Sequence, residues 1–534
     1  MQSWLSSSLK RIYPRSEAEA CSSLALEAAR GERVSFQVAF RREAKECVVT
    51  AEVQVPDGVQ PLVRRVGFVP MPHFSTQVPP DDADGVGHLP GYVPDPLFPE
   101  TTIHAGPYES NAFWITLLVG ADAHPGTHEV RVTLTPEGET PTTLTATLTI
   151  HPALLPARRD FPVTHWFYAD ALMDYYKVEP WEEGLWRILD AYLADVVAHG
   201  QDTIYVPVFT PPLDGVKRPT QLLDVRQEGE RYLFDWRDVR RWIAAAKSHG
   251  LKRFEWTHLF TQWGVQHAIR IYEGQGRERK LLWDPETGAT SQTYRDFLAQ
   301  FLPEFERFLT VEGLMESSFF HLSDEPHGEE HLANYRAARE LIRELAPWMR
   351  VMDALSEISF ARVGLTDTPI PSISRAPEFV AEGFPAWAYF CCGPRGRFLN
   401  RLLDTPLVKV RMTGWLLYRL RARGFLHWGY NYWYKSQTQE LIDPYTVTDG
   451  LAWPGWAHGD PFMVYPGKEG PVDSLRWEVF AESLQDYALL QAAGLDPDHP
   501  LLFDLKDYAN FPRETAWISR RRADLLARLD ARQA

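Results

Sequence analysis

The sequence lacks the features that mark several large classes of protein. No apolar run reaches the roughly 18 residues that a membrane-spanning helix needs. No GxGxxG or P-loop pattern is present, which argues against a nucleotide-binding sheet. Residues 1–10 show no basic segment followed by an apolar stretch, so we expect a cytoplasmic protein unless a leader has been removed.

Cysteine is scarce, and basic residues are outnumbered by acidic ones. The four cysteines include the adjacent Cys391 and Cys392 and form no CxxC motif, so we predict reduced thiols and neither a disulfide framework nor a zinc site. Lys and Arg number 55 against 71 Asp and Glu, and the net charge of −16 argues against a nucleic-acid partner. The lack of long apolar runs predicts no membrane partner, and no pattern fixes an oligomeric state.

What the sequence does contain divides into two regions with different periodicities. In the first region apolar and polar residues alternate, and turn motifs such as Pro56-Asp57-Gly58 separate the runs. The predicted strands are 34–40, 111–119, 130–134 and 144–150. They predict an N-terminal β-sandwich over residues 1–155. Residues 79–100 are rich in Pro, Asp and Gly, so we expect a long loop there.

From about residue 160, helical stripes alternate with short apolar runs. The predicted helices are 185–196, 236–246, 297–309 and 329–345. The predicted strands are 164–167, 203–206, 253–256, 318–322, 351–353, 369–372, 386–390 and 425–428. This alternation indicates an α/β fold with parallel strands, and about eight strands favour a (β/α)8 TIM-like barrel. We therefore predict a catalytic barrel over residues 156–534 that ends in a helical C-terminal tail.

Two adjacent acids, Asp324 and Glu325, directly follow the predicted strand 318–322. Barrel enzymes place their reactive groups at the carboxyl ends of the strands. The pleat relaxes at a strand end, and Pro326 restricts Glu325 to an extended or turn conformation, so both acids could face the mouth of the barrel. The alternative is that one of the acids caps the next helix.

An adjacent acid pair suits one form of glycoside hydrolysis in particular. In the common scheme two carboxyl groups flank the scissile bond, about 5–9.5 Å apart. Neighbouring residues better suit substrate-assisted hydrolysis, in which the 2-acetamido oxygen of the sugar is the nucleophile. One carboxyl then protonates the leaving oxygen, and the other accepts the acetamido N–H. Crowding also separates the pKa values of two acids, which keeps one of them protonated near neutral pH.

Four stretches of the sequence carry a resemblance to a known family. They are residues 257–264, 320–326, 391–395 and 424–433. Over roughly 160–490 the chain resembles glycoside hydrolase family 123, the retaining β-N-acetylgalactosaminidases, and its broad group of relatives. The resemblance implies that Glu325 is the general acid/base, that Asp324 orients the acetamido group, and that neither a metal nor another cofactor is needed. The implied substrate is an oligosaccharide or glycoconjugate with a terminal β-linked N-acetylhexosamine, cleaved by exo action.

Further residues near strand ends are candidates for sugar binding, with core packing as the alternative for each. His258 could bind a hydroxyl group, and Tyr389 could donate to the acetamido oxygen as charge develops there. The other candidates are Trp166, Asp353, Trp428, Asn431 and Trp433. Aromatic rings would wall the acetamido methyl group, and an amide would read a hydroxyl group.

Other interpretations of the acid pair stay open at the level of sequence. A glycosidase of different sugar specificity could use two separated carboxylates, pairing Glu325 with Glu255, Asp353 or Asp170. A non-catalytic carbohydrate-binding protein would bind a sugar without turnover. A metal site that includes His321 and His327 is disfavoured, because zinc-binding helices space their histidines four residues apart.

Overall fold

The structure, a computed structural model, describes residues 1–43, 45–275 and 279–533. The first part of the chain is rich in strands. They are β1 (Gln2–Ser7), β2 (Ser23–Arg30), β3 (Arg33–Arg41), β4 (Cys47–Gln54), β5 (Val59–Met71), β6 (Gly91–Phe98), β7 (Thr102–Ala105), β8 (Ser110–Val119), β9 (Gly126–Pro136) and β10 (Thr142–Leu154), with a 3-10 turn at Pro80–Asp82. The strands predicted in this region are confirmed as parts of β3, β8, β9 and β10.

Short strands and helices alternate through the middle of the chain. They are β11 (Val163–His165), α1 (Ala169–Tyr176), α2 (Glu183–Ala198), β12 (Thr203–Val206), β13 (Asp224–Glu228), β14 (Arg231–Asp235), α3 (Arg237–His249), β15 (Arg253–Trp256), β16 (Tyr272–Glu273), β17 (Lys280–Leu281), α4 (Gln292–Val311), β18 (Ser318–Phe320), α5 (Gly328–Leu345), β19 (Met352–Ala354), α6 (Ile358–Arg362), β20 (Thr368–Ile370), α7 (Ala376–Ala381), β21 (Ala388–Tyr389), α8 (Leu407–Arg411), α9 (Thr413–Arg419) and β22 (Phe425–His427), with a 3-10 turn at Met315–Ser317. The four predicted helices correspond to α2, α3, α4 and α5.

The last part of the chain returns to the N-terminal strands and then becomes helical. It contains β23 (Tyr465–Pro466), β24 (Pro471–Ser474), α10 (Leu475–Ala492), a 3-10 turn at Pro500–Leu502 and α11 (Thr515–Gln533). The predicted helical tail is confirmed by α10 and α11. Within the described residues, no helix combines the length and the apolar character that crossing a membrane requires.

Two sheets enclose one core in the N-terminal region. One sheet has the strand order β1-β3-β8-β5-β6-β24-β23, and the other has the order β2-β10-β9-β4-β7. Their facing side chains, such as Phe36 and Ile115 from the first sheet and Val130 and Leu148 from the second, are fully buried in one cluster. Alternation along each strand therefore sends one set of side chains into a shared apolar interior.

The prediction of a long loop over 79–100 is wrong, because β6 occupies Gly91–Phe98 inside the larger sheet. Proline lacks an N–H donor, so its presence argued against a strand. In the structure Pro94 lies opposite Phe68, where the register between β5 and β6 shifts. A register shift of this kind tolerates a residue that cannot complete the hydrogen-bond ladder.

The strands of the middle region pair in parallel. Strand β11 pairs with β22 and β22 with β21, while β12 pairs with β15, β15 with β18, and β19 with β20. Single parallel bridges join Phe320 to Val351 and Ser372 to Tyr389. The backbone N–H of Asp202, which precedes β12, donates to the carbonyl of Val163 in β11. The protein is thus a mixed α/β protein, and its parallel strands direct their carboxyl ends toward one side.

Candidate active site

A pocket of about 600 Å³ opens at the carboxyl ends of the parallel strands. Its walls come from the ends of β11, β12, β15, β18, β19, β21 and β22 and from the loops between β22 and β23. The residues that line it are Trp166, Asp214, Gln262, Trp263, Asp324, Glu325, Ala354, Tyr389, Cys391, Cys392, Leu426, Trp428, Gln437, Trp456 and Asp460. Side chains that are distant in sequence therefore meet at one opening.

Asp324 and Glu325 both line this pocket. Glu325 has a left-handed backbone with φ of +46°, and its N–H donates to the carbonyl of Ala354 at 2.8 Å. Consecutive side chains of an extended strand point to opposite faces, so this turn accounts for both acids lining the same pocket. The helix-capping alternative is wrong, because His327 is the N-cap of α5 and the N–H of Gly328 donates to Glu357 Oε1 at 2.9 Å.

Asp324 is the more deeply buried member of the pair, with 4% of its surface exposed. The side-chain amide of Gln262 donates to Asp324 Oδ2 at 2.8 Å, and the backbone N–H of Trp263 donates to the Asp324 carbonyl at 2.7 Å. Burial raises the pKa of Asp324 well above its usual range, and the neighbouring Glu325 raises it further. The site therefore favours a pair that retains a proton.

Glu325 is held from the opposite side by Tyr389, whose hydroxyl donates to Glu325 Oε1 at 2.6 Å. Burial raises the pKa of Glu325, while the hydrogen bond from Tyr389 lowers it. A phenol that donates to a carboxylate favours the charged form, so Tyr389 offsets part of the effect of burial. The same hydrogen bond fixes the direction in which the Glu325 carboxyl points.

A buried charge network lies beneath the acid pair. The Nδ1 atom of His321 lies 3.1 Å from Asp353, and its Nε2 atom lies 2.7 Å from Glu255. Burial alone would lower the pKa of His321, but the hydrogen bonds and charges of these two carboxylates outweigh it and raise the pKa to about 9. The raised pKa favours the imidazolium form of His321, which lies between these two acids behind the pocket wall.

Comparison with known proteins identifies the family of the chain that forms this pocket. The family model described as the glycoside hydrolase 123 catalytic domain matches residues 166–493. The chain belongs to glycoside hydrolase family 123. It is therefore a glycoside hydrolase, and the family resemblance found in the sequence is confirmed.

A solved structure agrees with this family over nearly the whole chain. A family 123 glycoside hydrolase from Clostridium perfringens, described in work on glycolipid glycan hydrolysis, is similar with a TM-score of 0.74 at 14% identity, covering 99% of this chain and 97% of that one. A GH5 xyloglucanase from Bacteroides ovatus aligns with a TM-score of 0.31 at 10% identity, covering 87% and 98%. The comparison with curated proteins found no match.

Three of the predicted sugar-binding residues of this family 123 protein line the pocket: Trp166, Tyr389 and Trp428. The indole N–H of Trp166 donates to Glu255 Oε1 at 2.7 Å, which ties the pocket wall to the network beneath it. The indole N–H of Trp428 donates to Asp460 Oδ2 at 3.0 Å. Both rings therefore line the pocket that contains the acid pair, and their N–H groups are satisfied within the protein.

The other four predicted sugar-binding residues lie behind the pocket wall and are fully buried. They are His258, Asp353, Asn431 and Trp433. The ring of His258 stacks on His321 with a centroid separation of 4.2 Å, and the amide of Asn431 bonds to the backbone N–H and carbonyl of Tyr168. The indole N–H of Trp433 donates to a backbone carbonyl at 3.1 Å. Their contacts are mainly those of the core-packing alternative, because nearly all of their buried polar atoms are satisfied by the protein; His258 Nε2 alone among them has no hydrogen-bond partner within the described residues.

Several lining residues were not among the sequence predictions. They are Asp214, Gln262, Trp263, Cys391, Cys392, Gln437, Trp456 and Asp460. Of these, Gln262 and Trp263 lie inside the family-like stretch 257–264, which offered a signal for the segment but not for the residues. Asp460 belongs to a loop without strand or helix periodicity, so no pattern marked it.

Asp460 is the most unusual polar group of the pocket wall. It is 2% exposed, and burial raises its pKa to about 7. Its Oδ1 atom has no hydrogen-bond partner among the described residues, and it lies 3.5 Å from Nε2 of His427, whose pKa burial lowers well below the usual value. A buried oxygen without a partner costs free energy, so this atom is suited to accept a hydrogen bond from a bound ligand.

One cluster beneath the pocket has the residue types of a metal site. Single ligand atoms of His258, His321 and Asp353 lie within 4.8 Å of one another. Both ring nitrogens of His321 already bond to carboxylates, and His258 Nδ1 lies 3.1 Å from the hydroxyl of Tyr205. Hydrogen bonding therefore accounts for both ring nitrogens of His321 and for Nδ1 of His258, while His258 Nε2 has no partner within the described residues.

Proposed function

We propose that this family 123 hydrolase is a retaining exo-β-N-acetylhexosaminidase, specifically a β-N-acetylgalactosaminidase, that uses substrate-assisted catalysis. The single observation that carries the proposal is the adjacent acid pair, Asp324 and Glu325, facing one pocket of about 600 Å³. Exo action would place one sugar in this pocket beside the acid pair, with its leaving group outside.

In the proposed first step, the acetamido oxygen of the substrate attacks C1 of the sugar and forms an oxazolinium ring. Glu325 gives its proton to the glycosidic oxygen as the C1–O bond breaks. Asp324 accepts a hydrogen bond from the acetamido N–H, which orients the nucleophile and stabilises the positive charge. Water then attacks C1, Glu325 takes up the water proton, and the acetamido group is restored. Two inversions at C1 give net retention.

The crowding of the two acids supports this division of roles. Both pKa values are raised by burial, and the Glu325 carboxylate further disfavours ionisation of Asp324, so the pair is suited to share one proton. A substrate N–H that donates to Asp324 would favour its anion and leave the proton on Glu325. Binding of an acetamido sugar would therefore select the protonation state that the reaction needs.

Tyr389 was expected to donate to the acetamido oxygen. Its 2.6 Å hydrogen bond to Glu325 supports a different contribution, which is to position the acid. Asp460 also lines the pocket, and its Oδ1 atom has no partner within the described residues, so we propose it as a second polar group that a sugar hydroxyl could contact.

We also propose that the parallel strands close into a (β/α)8 barrel over residues 156–534, after an N-terminal β-sandwich over residues 1–155. The pairings described above link β11, β12, β15, β18, β19, β20, β21 and β22 in chain order, and β22 pairs back with β11. The location of the pocket at the carboxyl ends of these strands supports a barrel.

The acids proposed as separated partners for Glu325 are less suited to a two-carboxylate mechanism. Glu255 and Asp353 are fully buried and engaged with His321, and Asp170 does not line the pocket. A carboxylate across the pocket, such as Asp460, would be needed instead. Comparing a 2-acetamido glycoside with its 2-hydroxy counterpart distinguishes the mechanisms, because only substrate assistance requires the acetamido group.

The test of the proposed function is hydrolysis of nitrophenyl β-N-acetylgalactosaminide and β-N-acetylglucosaminide. We expect Glu325→Gln to lower kcat/KM by roughly 10²–10⁴-fold, because the general acid is lost. Glu330→Gln, at an exposed position of α5, is the matched control and should retain activity. A thiazoline analogue of the oxazolinium should inhibit strongly. Equal cleavage of the 2-hydroxy glycoside, or indifference to the thiazoline, would refute the mechanism.

A further inference from the structure

A second cavity adjoins the candidate active site. It has a volume of about 890 Å³ and shares two wall residues, Gln262 and Trp263, with the pocket that contains the acid pair. Its other walls come mainly from the segments after β12 and β15, and include Val216, His267 and Arg270. The two cavities are therefore adjacent, and the side chains of Trp263 and Gln262 line both of them.

Trp263 lies between the two cavities and combines an exposed side chain with a backbone conformation that is uncommon for tryptophan. Trp263 is 38% exposed, and its backbone is left-handed with φ of +62°. Such a backbone is strained for a bulky residue and persists only where the surrounding structure holds it. Its N–H bonds to the carbonyl of Asp324 at 2.7 Å. The backbone of Trp263 is thus tied directly to the backbone of the acid pair.

The second cavity combines apolar walls with polar groups that lack partners. Val216 is 46% exposed, and Pro212 and Pro285 add further apolar surface. Within the described part of the chain, the Arg270 guanidinium forms no ion pair. The buried Nδ1 atom of His267 has no hydrogen-bond partner there either. An apolar surface with a few unengaged donors matches an amphipathic ligand such as a saccharide.

We propose that this second cavity binds the leaving-group saccharide, with Trp263 stacking on the sugar next to the scissile bond and Arg270 donating hydrogen bonds to that saccharide. This inference rests on the proposed function, since it places the departing part of the same substrate. The cleaved sugar would occupy the pocket with the acid pair, and the glycan chain would pass over Trp263. The ligand class is an oligosaccharide with at least one neutral or anionic sugar on the leaving side.

The first test compares two substrates of the full-length enzyme that differ only in their leaving groups. One is a nitrophenyl β-N-acetylhexosaminide, and the other is a trisaccharide with the same β-linked N-acetylhexosamine at its non-reducing end. We expect Arg270→Ala to lower kcat/KM for the trisaccharide about 10-fold more than for the nitrophenyl glycoside. Arg237→Ala, an exposed arginine on α3, is the matched control and should leave the ratio of the two values unchanged.

A second measurement removes turnover from the comparison. In the Glu325→Gln background, calorimetry with the trisaccharide and with free N-acetylhexosamine should show tighter binding of the trisaccharide. Arg270→Ala should abolish most of that difference, and Trp263→Ala should do the same. Because Trp263 lines both cavities, its substitution could affect binding in either one. Arg270 lines only the second cavity, so Arg270→Ala tests that cavity by itself.

The outcomes distinguish the two proposals. If wild-type enzyme cleaves neither acetamido substrate, the proposed function fails. If it cleaves both, but Arg270→Ala changes the two kcat/KM values equally and the trisaccharide binds no more tightly than the monosaccharide, the leaving-group site is refuted while the proposed function stands.

Discussion

At the scale of single residues, the hydrogen bond from Tyr389 to Glu325 sets how readily the proposed acid gives up its proton. Burial of Glu325 raises its pKa, and the phenol of Tyr389 opposes that rise by stabilising the carboxylate. The acid must be protonated to act, so the alkaline limb of the pH–rate profile reports this balance. A hydrogen bond to a charged group contributes about 1.5–3 kcal/mol.

We therefore expect Tyr389→Phe to move the alkaline limb of kcat/KM to higher pH by about 1 unit, since a pKa unit corresponds to about 1.36 kcal/mol. The sign follows from the loss of a donor that favours the anion. The measurement is kcat/KM for a nitrophenyl glycoside between pH 4 and 9, with Tyr108→Phe at an exposed position as the control. A limb that stays in place, or moves to lower pH, would show that Tyr389 does not hold the acid.

The acid pair could be predicted from the sequence because its signal is local. Two acids and a proline directly after an apolar strand point to a strand end, and the pocket contains both acids. Their partners could not be predicted in this way, since Gln262 and Tyr389 reach the pair from 62 and 64 residues away. Distinguishing Tyr389, which lines the pocket, from Trp433, which is fully buried, likewise requires the packing of whole strands.

At the scale of elements, α10 shows why the helical tail could be predicted but not placed. Helices α2 to α5 each bury one stripe, and their periodicity reveals it. Helix α10 is buried on nearly all sides, and its buried residues include charged ones such as Glu478, Glu482 and Asp486. In a sequence, charged residues on a helix indicate an exposed face. The burial of α10 could therefore not be predicted without knowledge of the cations that its acids contact.

Glu478 illustrates how α10 joins the N-terminal sheets to the rest of the molecule. Its carboxylate accepts hydrogen bonds from Arg33 on β3 at 2.6 and 2.7 Å, and Arg64 on β5 lies 2.8 Å away. His199, which follows α2, lies 3.1 Å from the same carboxylate. Glu478 is completely buried, and its cationic neighbours hold its pKa well below the usual range against the effect of burial.

We expect Glu478→Ala to lower the free energy of unfolding by about 3–5 kcal/mol, because it leaves buried cations without a counter-charge. Chemical denaturation with a structural probe measures the loss. Glu100→Ala is the control: its carboxylate pairs with Arg65 at 2.7 Å but is 54% exposed, so its loss should cost no more than about 1 kcal/mol. Equal effects of the two substitutions would mean that the network around α10 contributes nothing beyond a surface ion pair.

At the scale of the whole molecule, segments from the C-terminal part of the chain pack against the N-terminal sheets and extend one of them. Strand β24 pairs with β6 and extends the larger N-terminal sheet, and Tyr465 on β23 donates to Asp95 on β6 across 370 residues of sequence. Arg522 on α11 bonds to Glu32 beside β3, and His151 on β10 lies 2.8 Å from Asp530. Sequence periodicity divides the chain at about residue 155, but these long-range contacts make the N-terminal sheets depend on residues that follow the active site.

We therefore expect a fragment of residues 1–155 to be unstable although it contains the core between its two sheets. In the fragment, β6 would expose the edge that β24 covers, and Glu32, Arg33 and Arg64 would lose their partners on α10 and α11. Buried charges without partners and an open sheet edge both favour unfolding or association. Limited proteolysis and thermal unfolding of the fragment, beside the intact chain, measure the effect. A protease-resistant, monomeric fragment with a sharp unfolding transition would show that the core between the sheets is sufficient without the returning C-terminal segments.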